Sequence, residues 1–303
     1  MAAGGVVSAD ANAVRVRELL ATASIEVSPR DELAGDGLRG HFPAGSTVFI
    51  THPPSADYPR IIAACTRLRK AGFVPVPHIA ARRLASMDDA VDFVRRATGD
   101  AGVDDVLLIG GDPDRPAGPF RDSLTLLIGG ILECHGIERV RFAGYPEGHP
   151  HISSKALDTA LDTKLRLAKE RGLAASIVTQ FGFEAAPIER WIAELRLRGV
   201  QCPVRVGIAG PAPVVSLAKF AVRCGIRSSL RALARGQTSF ARILTEAAPD
   251  ALIDALAGGE TSAGRIDGLH VFTFGGVAHT ARWREAKLDQ SRHAIAVSRS
   301  SEA

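Results

Sequence analysis

Short apolar runs rich in β-branched residues recur along the chain at residues 24–27, 47–50, 74–79, 105–109, 139–143, 176–179, 204–208 and 269–273. Most read as continuous rather than alternating in and out, as strands do when a parallel sheet is covered by helices on its outer face. Between most of them, at 58–71, 87–97, 120–134, 153–171 and 187–197, apolar residues fall three and four apart, the spacing of amphipathic helices. Eight such units in 303 residues predict an α/β fold, a single (β/α)8 TIM barrel. An open doubly wound sheet is the competing arrangement, but its G-x-G-x-x-G after the first strand is absent. Two stretches fit the repeat poorly. Residues 29–44 are rich in Gly and Asp and offer at most a short helix, and 223–268 hold two helical patterns before the last strand. No low-complexity linker divides the chain, so residues 13–303 read as one barrel domain behind a flexible N-terminal arm at 1–12.

Charge and composition narrow the function. Lys+Arg number 37 against 33 Asp+Glu, a net +4 without long basic runs, so nucleic acid is not an implied partner. No run of about 18 apolar residues occurs, and Asp10 and Glu18 stand where a signal peptide would be basic and then apolar. A cytoplasmic protein without a membrane partner is expected. Cys65, Cys134, Cys202 and Cys224 lie far apart, which suggests neither a zinc site nor a disulfide framework; each reads as a small buried apolar residue.

In such barrels the chemistry lies at the C-terminal ends of the strands. Here those ends carry Glu26, Thr51 and His52, His78, Gly110-Gly111-Asp112-Pro113, Tyr145-Pro146-Glu147-Gly148-His149, and Thr179-Gln180. Glu26 sits between Ile25 and Val27, and burial in apolar surroundings raises a carboxyl pKa. A carboxyl that stays protonated near neutrality is a candidate general acid. A rim carboxylate meeting solvent or an Arg is the other reading. Asp112 follows two glycines that let a ligand approach the backbone, though by position alone it reads first as a cap for the next helix. His149-Pro150-His151 lacks the carboxylate pattern of a metal site, and no metal is expected. Gln180 has a donor and an acceptor on one planar amide, suited to a heterocycle edge such as a pterin or to a satisfied rim. Asp162 and Lys169, seven apart, share one face of a predicted helix, ordinarily a solvated one.

Two motifs, taken in order and spacing, resemble the methylenetetrahydrofolate reductase family. Ala143-Gly144-Tyr145-Pro146-Glu147-Gly148-His149-Pro150 is similar to its A-x-Y-P-E-x-H-P, and Thr179-Gln180-Phe181-Gly182-Phe183 to its T-Q-x-x-F. The likeness spans about residues 24–273 and takes in Thr51, Pro77-His78, Gly111-Asp112-Pro113 and Lys169. It implies a short, divergent flavoprotein that interconverts 5,10-methylenetetrahydrofolate and 5-methyltetrahydrofolate. NADH or NADPH would reduce FAD, and the folate would then take the hydride in a ping-pong cycle. By this resemblance Glu26 is the acid that opens the folate ring, Asp112 tunes the flavin and orients the folate, and Gln180 and Phe181 bind substrate. FAD would be held by Thr51, His52, His78, Gly110, Gly111, Asp112, Tyr145, His149, Asp162 and Lys169, with Lys169 at the diphosphate. A homo-oligomer is implied as well.

The sequence departs from the family in places. Gly110 stands where many members carry an Arg, His52 replaces a common Tyr, and Val214 lies near a position often held by a stacking Phe. Two other readings follow: a flavin-free folate-binding barrel that carries or passes on a methyl group, and an oxidase of methyltetrahydrofolate in a demethylation pathway.

Overall fold

The computed structural model describes residues 9–31, 36–224, 246–259 and 265–301. Its strands are β1 (Ser24–Val27), β2 (Thr47–Ile50), β3 (Val74–Ala80), β4 (Asp105–Ile109), β5 (Arg139–Gly144), β6 (Ala174–Gly182), β7 (Val204–Ala209), β8 (Ala212–Pro213), β9 (Glu246–Ala247) and β10 (Gly268–Phe272). Eight of them close a barrel in the order β1-β10-β7-β6-β5-β4-β3-β2, and β8 pairs with β9 alone. The fold is the α/β (β/α)8 barrel that the apolar runs predicted, and all eight predicted runs are strands of it. The helices are α1 (Ala9–Ala21), α2 (Tyr58–Lys70), α3 (Met87–Ala101), α4 (Ser123–Ile128), α5 (Ile131–Cys134), α6 (Ser154–Glu170), α7 (Ala185–Leu197), α8 (Val214–Cys224), α9 (Asp250–Gly258) and α10 (Val277–Ser301). The chain separates into two compact units, Ser24–Gly144 with Ser153–Val178, and Met1–Ala23 with Tyr145–Ile152 and Thr179–Ala303.

The first unit holds β1 to β5 and the start of β6. Its helices begin where the sequence supplies caps: Asp57 accepts from the Arg60 N–H (3.1 Å) ahead of α2, and Ser86 from the Asp89 N–H (3.0 Å) ahead of α3. Gly102 closes α3 in the left-handed region at φ 58°. The pattern at 120–134 is not one helix. It breaks at Gly129-Gly130, where Gly130 adopts φ 72°, so α4 and α5 are separate turns. Inside this unit Phe49, Val76, Leu107 and Val178 form a packed apolar layer. Asp105, 1% exposed at the start of β4, accepts from Arg141 Nε (3.0 Å) and Nη2 (2.6 Å). The Arg141 guanidinium also lies 5.1 Å from the centre of the Phe49 ring, so charge and apolar layer are stacked directly.

The second unit corrects the expected N-terminal arm. Residues from Ala9 onward are helical rather than loose, because Val16, Leu19 and Leu20 are buried on one stripe of α1. Arg284 of α10 ties the end of that helix, donating to the Leu20 (2.9 Å) and Ala21 (3.1 Å) carbonyls. Those carbonyls are among the acceptors a helix end leaves unsatisfied. Residues 1–8 lie outside the described residues, as does one of the two helical patterns expected within 223–268; the other is α9. Phe181, Ala209, Ala212, Leu217 and Ala221 form the core here, with Phe183, Phe220, Phe272 and Phe274 packed on it. The cysteines are not uniformly buried: Cys65 is, with its thiol pushed up to about 12 by burial, whereas Cys134 is exposed.

Candidate active site

In the first unit, β1 and β3 bring Glu26 and His78 together. Glu26 Oε2 lies 3.4 Å from His78 Nε2, and their side chains are only 15% and 9% exposed. Burial pushes the Glu26 carboxyl above its ordinary value, and the nearby imidazole pulls it partly back. The His78 ring meets Phe49 edge-on at 6.0 Å, which fixes its plane. Of the two readings of Glu26, this burial disfavours the rim carboxylate that meets solvent.

The neighbouring strand ends divide. Thr51 is tied back to β1, its N–H donating to the Val27 carbonyl (3.0 Å). His52 turns instead to the helix layer, its ring 4.8 Å from that of Tyr58, which packs at 4.6 Å on Phe93 of α3. Burial there, with Arg83 nearby, lowers the imidazole to about 4, so His52 is neutral at physiological pH. Gly111 adopts φ 93°, and a Cβ on it would lie 3.1 Å from the Ala80 Cβ, so this turn requires glycine. Gly110 accepts at its carbonyl from the Arg82 N–H (2.9 Å), and a Cβ added there would meet nothing within 4 Å. The Arg82 side chain also donates to the Arg121 (2.7 Å) and Pro113 (3.1 Å) carbonyls, so it organises the loop that carries Asp112. Asp112 itself is exposed.

On α6 the structure separates residues that the sequence had grouped. Asp162 is half-buried at mid-helix, whereas Lys169 is exposed in the last turn. Because α6 runs back from the end of β5 to the start of β6, Lys169 lies roughly 22 Å along the axis from Ser154. It is therefore remote from the C-terminal ends of the strands, and its expected place at a diphosphate there does not hold. The lysine turned inward is Lys164. Its amine lies 5.3 Å from the Phe142 ring centre and 3.5 Å from Ser123 Oγ, and burial lowers its pKa. The signal for it was present, since 164 falls on the stripe of Leu161 and Ala168, both buried.

In the second unit, Tyr145, Glu147, Gln180, Phe181 and Ile188 line a small crevice. Phe181, 2% exposed, belongs to the aromatic core, with its ring 4.9 Å from Phe274 and 5.7 Å from Phe272. The half-buried Gln180 leads the polar side of the crevice. Thr179 anchors this strand end: its hydroxyl donates to the Gln180 carbonyl (2.9 Å) and accepts from the Gly207 N–H (2.8 Å). Gly207 must be glycine, because a Cβ would fall 2.4 Å from the Thr179 carbonyl oxygen. Neither Gly207 nor Arg82 was singled out from the sequence. His149 packs against Tyr145 at 5.4 Å, and its Nδ1 accepts from the His151 N–H (3.2 Å). Burial and His151 lower its pKa, so it is a neutral hydrogen-bonding group. Among the described residues no group of three His, Cys, Asp or Glu side chains is placed to hold a metal ion, and no helix is long and apolar enough to cross a membrane.

The first unit thus holds a shielded carboxyl and a glycine turn beside a carboxylate, and the second a crevice with one amide. No protein-family model matches the chain.

Proposed function

We propose that the chain is a cytoplasmic, FAD-dependent oxidoreductase that interconverts 5,10-methylenetetrahydrofolate and 5-methyltetrahydrofolate, with NADH or NADPH as electron donor, and that it works as a homo-oligomer. The observation that carries this reading is the Glu26 carboxyl, buried at a strand end and held back from ionising by that burial. Opening the five-membered ring of the folate requires a proton on a ring nitrogen while the C–N bond breaks, and a carboxyl whose ionisation burial disfavours suits that need. The sequence likeness at Tyr145–His149 and Thr179–Phe183 supports the same chemistry.

Bound FAD would pass hydride between nicotinamide and folate. The strand ends suit its ring: at Gly110 bare backbone faces open space, which leaves a flat heterocycle room to lie against it. Asp112 would orient the ring and the folate, Gln180 would hold the pterin edge, and neutral His149 with Tyr145 would offer polar contacts without charge. Lys169, exposed at the far end of α6, does not suit the diphosphate. That misfit, with Gly110 in place of an arginine, favours as second reading a flavin-free barrel that binds folate and carries its methyl group.

The test is a visible absorption spectrum of freshly purified protein, repeated anaerobically after NADH and then methylenetetrahydrofolate. Flavin colour that bleaches with NADH and returns with folate is the expected result. A colourless protein that takes up no added FAD yet binds folate overturns it for the second reading. Rates measured in both directions with a chosen electron acceptor would separate a reductase from an oxidase of methyltetrahydrofolate.

A further inference from the structure

We infer that His78 is the positioning residue for Glu26, and that the two work as one proton-handling pair: His78 holds the carboxyl in place and stabilises the carboxylate left once the proton has gone. The inference rests on the reading of Glu26 as the acid. Its own basis is the juxtaposition of the two side chains on β1 and β3, 3.4 Å apart and almost fully shielded from solvent.

An acid buried deeply enough to remain protonated faces a difficulty at the moment of reaction. The group that leaves the substrate protonated is itself left as an anion in a site poor in water, and an isolated buried carboxylate is strongly disfavoured. A hydrogen bond or cation close to the developing charge removes most of that penalty. His78 Nε2 is placed to supply it. The imidazole is kept in position by Phe49, which meets it edge-on, and the Arg141 guanidinium lies 5.1 Å from the centre of the same Phe49 ring. Arg141 is in turn matched by Asp105, so these two charged groups, which share the packed column in this unit, largely offset each other.

The proton balance is complete without an oxidant or reductant. The Glu26 O–H bond breaks and leaves its electron pair on the carboxylate. The proton forms an N–H bond with the lone pair of one folate ring nitrogen, the C–N pair stays on that nitrogen as the ring opens, and the lone pair of the other ring nitrogen forms a C=N bond to the methylene carbon, giving the iminium. The carboxylate then rests against the His78 N–H until one proton from solvent restores the acid.

The pair is tested on the full-length protein without substrate, by following the Glu26 carboxyl carbon and the His78 ring nitrogens by NMR across a pH titration. In His78→Gln the Glu26 carboxyl should titrate higher by about one unit or more, because the partner that favours the anion is gone. In Glu26→Gln the His78 ring should titrate lower than in the parent. Where His78→Gln does not fold, His78→Asn carries the same measurement. Titrations that do not move in either variant overturn the pair. Folate turnover, measured alongside, keeps the two ideas apart. Turnover lost in Glu26→Gln with uncoupled titrations overturns the pair alone. Turnover surviving Glu26→Gln despite coupled titrations overturns the reading of the site, and with it the role given to His78.

Discussion

Within the unit built from Ser24–Gly144 and Ser153–Val178, the two ends of the strands bury a carboxyl in opposite ways. At the start of β4, Asp105 is gripped by Arg141 through both Nε and Nη2, with Arg139 Nε at 3.4 Å as well. Toward the end of β1, Glu26 faces an imidazole at 3.4 Å and has been pushed toward its neutral form. A guanidinium is charged at every physiological pH and its fork fits a carboxylate, so the lower pair is locked. An imidazole is a conditional cation, and a carboxyl matched to one remains able to change its protonation state. Burial alone does not make a functional acid; burial beside a partner that leaves ionisation undecided does.

The largest effect expected is on chemistry at the upper end. Glu26→Gln should slow the folate half-reaction by about 10²–10⁴-fold, the usual worth of a general acid, while NADH oxidation with a quinone acceptor continues; stopped-flow measurement of each half-reaction decides it. If both survived equally, Glu26 would not be the acid. On stability the same variant should move the other way. The folded-state pKa of Glu26 is raised above 4.5, so its contribution is complete below that pH and is lost as pH rises through the raised value. Gln removes that loss, and denaturant unfolding should show the variant gaining on the parent as pH climbs. At the lower end the order reverses: Arg141→Ala leaves the buried Asp105 only the longer contact to Arg139 and should remove up to about 3–5 kcal/mol of unfolding free energy. A loss within about 0.5 kcal/mol, the range of ordinary surface changes, would show that the lower pair is not the lock described.

A smaller effect is expected at the glycine turn that follows β4 at the upper end. Gly111→Ala forces a Cβ at φ 93° to within 3.1 Å of the Ala80 Cβ. That strain should cost about 1–3 kcal/mol, read as a lowered Tm, and an unchanged Tm would mean that the turn relaxes freely.

How far these features could be read from sequence follows from where their causes lie. The barrel was legible because continuous apolar runs are a local property, and so was Glu26, a charge inside one of them. The stop at Gly129-Gly130 was visible too, but was overridden by the apolar spacing on either side. Helix α1 was missed because its order comes from tertiary partners, with Arg284 more than 250 residues away in sequence closing its end. Lys169 and Lys164 stand about 140° apart around α6, so the stripe of Leu161 and Ala168 decides which amine turns inward, and the direction of α6 only which end Lys169 occupies. At strand ends the uncertainty is sharper, because one residue of register sends a side chain to the other face. That is why Thr51 stays on β1 and adjacent His52 leaves for α2 and α3.

The smallest effect expected concerns that departure. His52 has its Nδ1 buried without a hydrogen-bond partner among the described residues, and Arg83 nearby opposes a second positive charge. Its folded-state pKa is lowered from 6.5 to about 4, so the neutral ring's contribution to stability is present above 6.5 and is lost as pH falls through that window. Replacing it by Phe keeps an aromatic ring against Tyr58 and removes the titration. Urea unfolding at neutral pH and near the lower limit of that window should therefore show His52→Phe losing less stability than the parent. Equal losses would mean that the imidazole reaches water when it charges, and that the contrast between a locked lower pair and adjustable groups at the strand ends stops at Glu26.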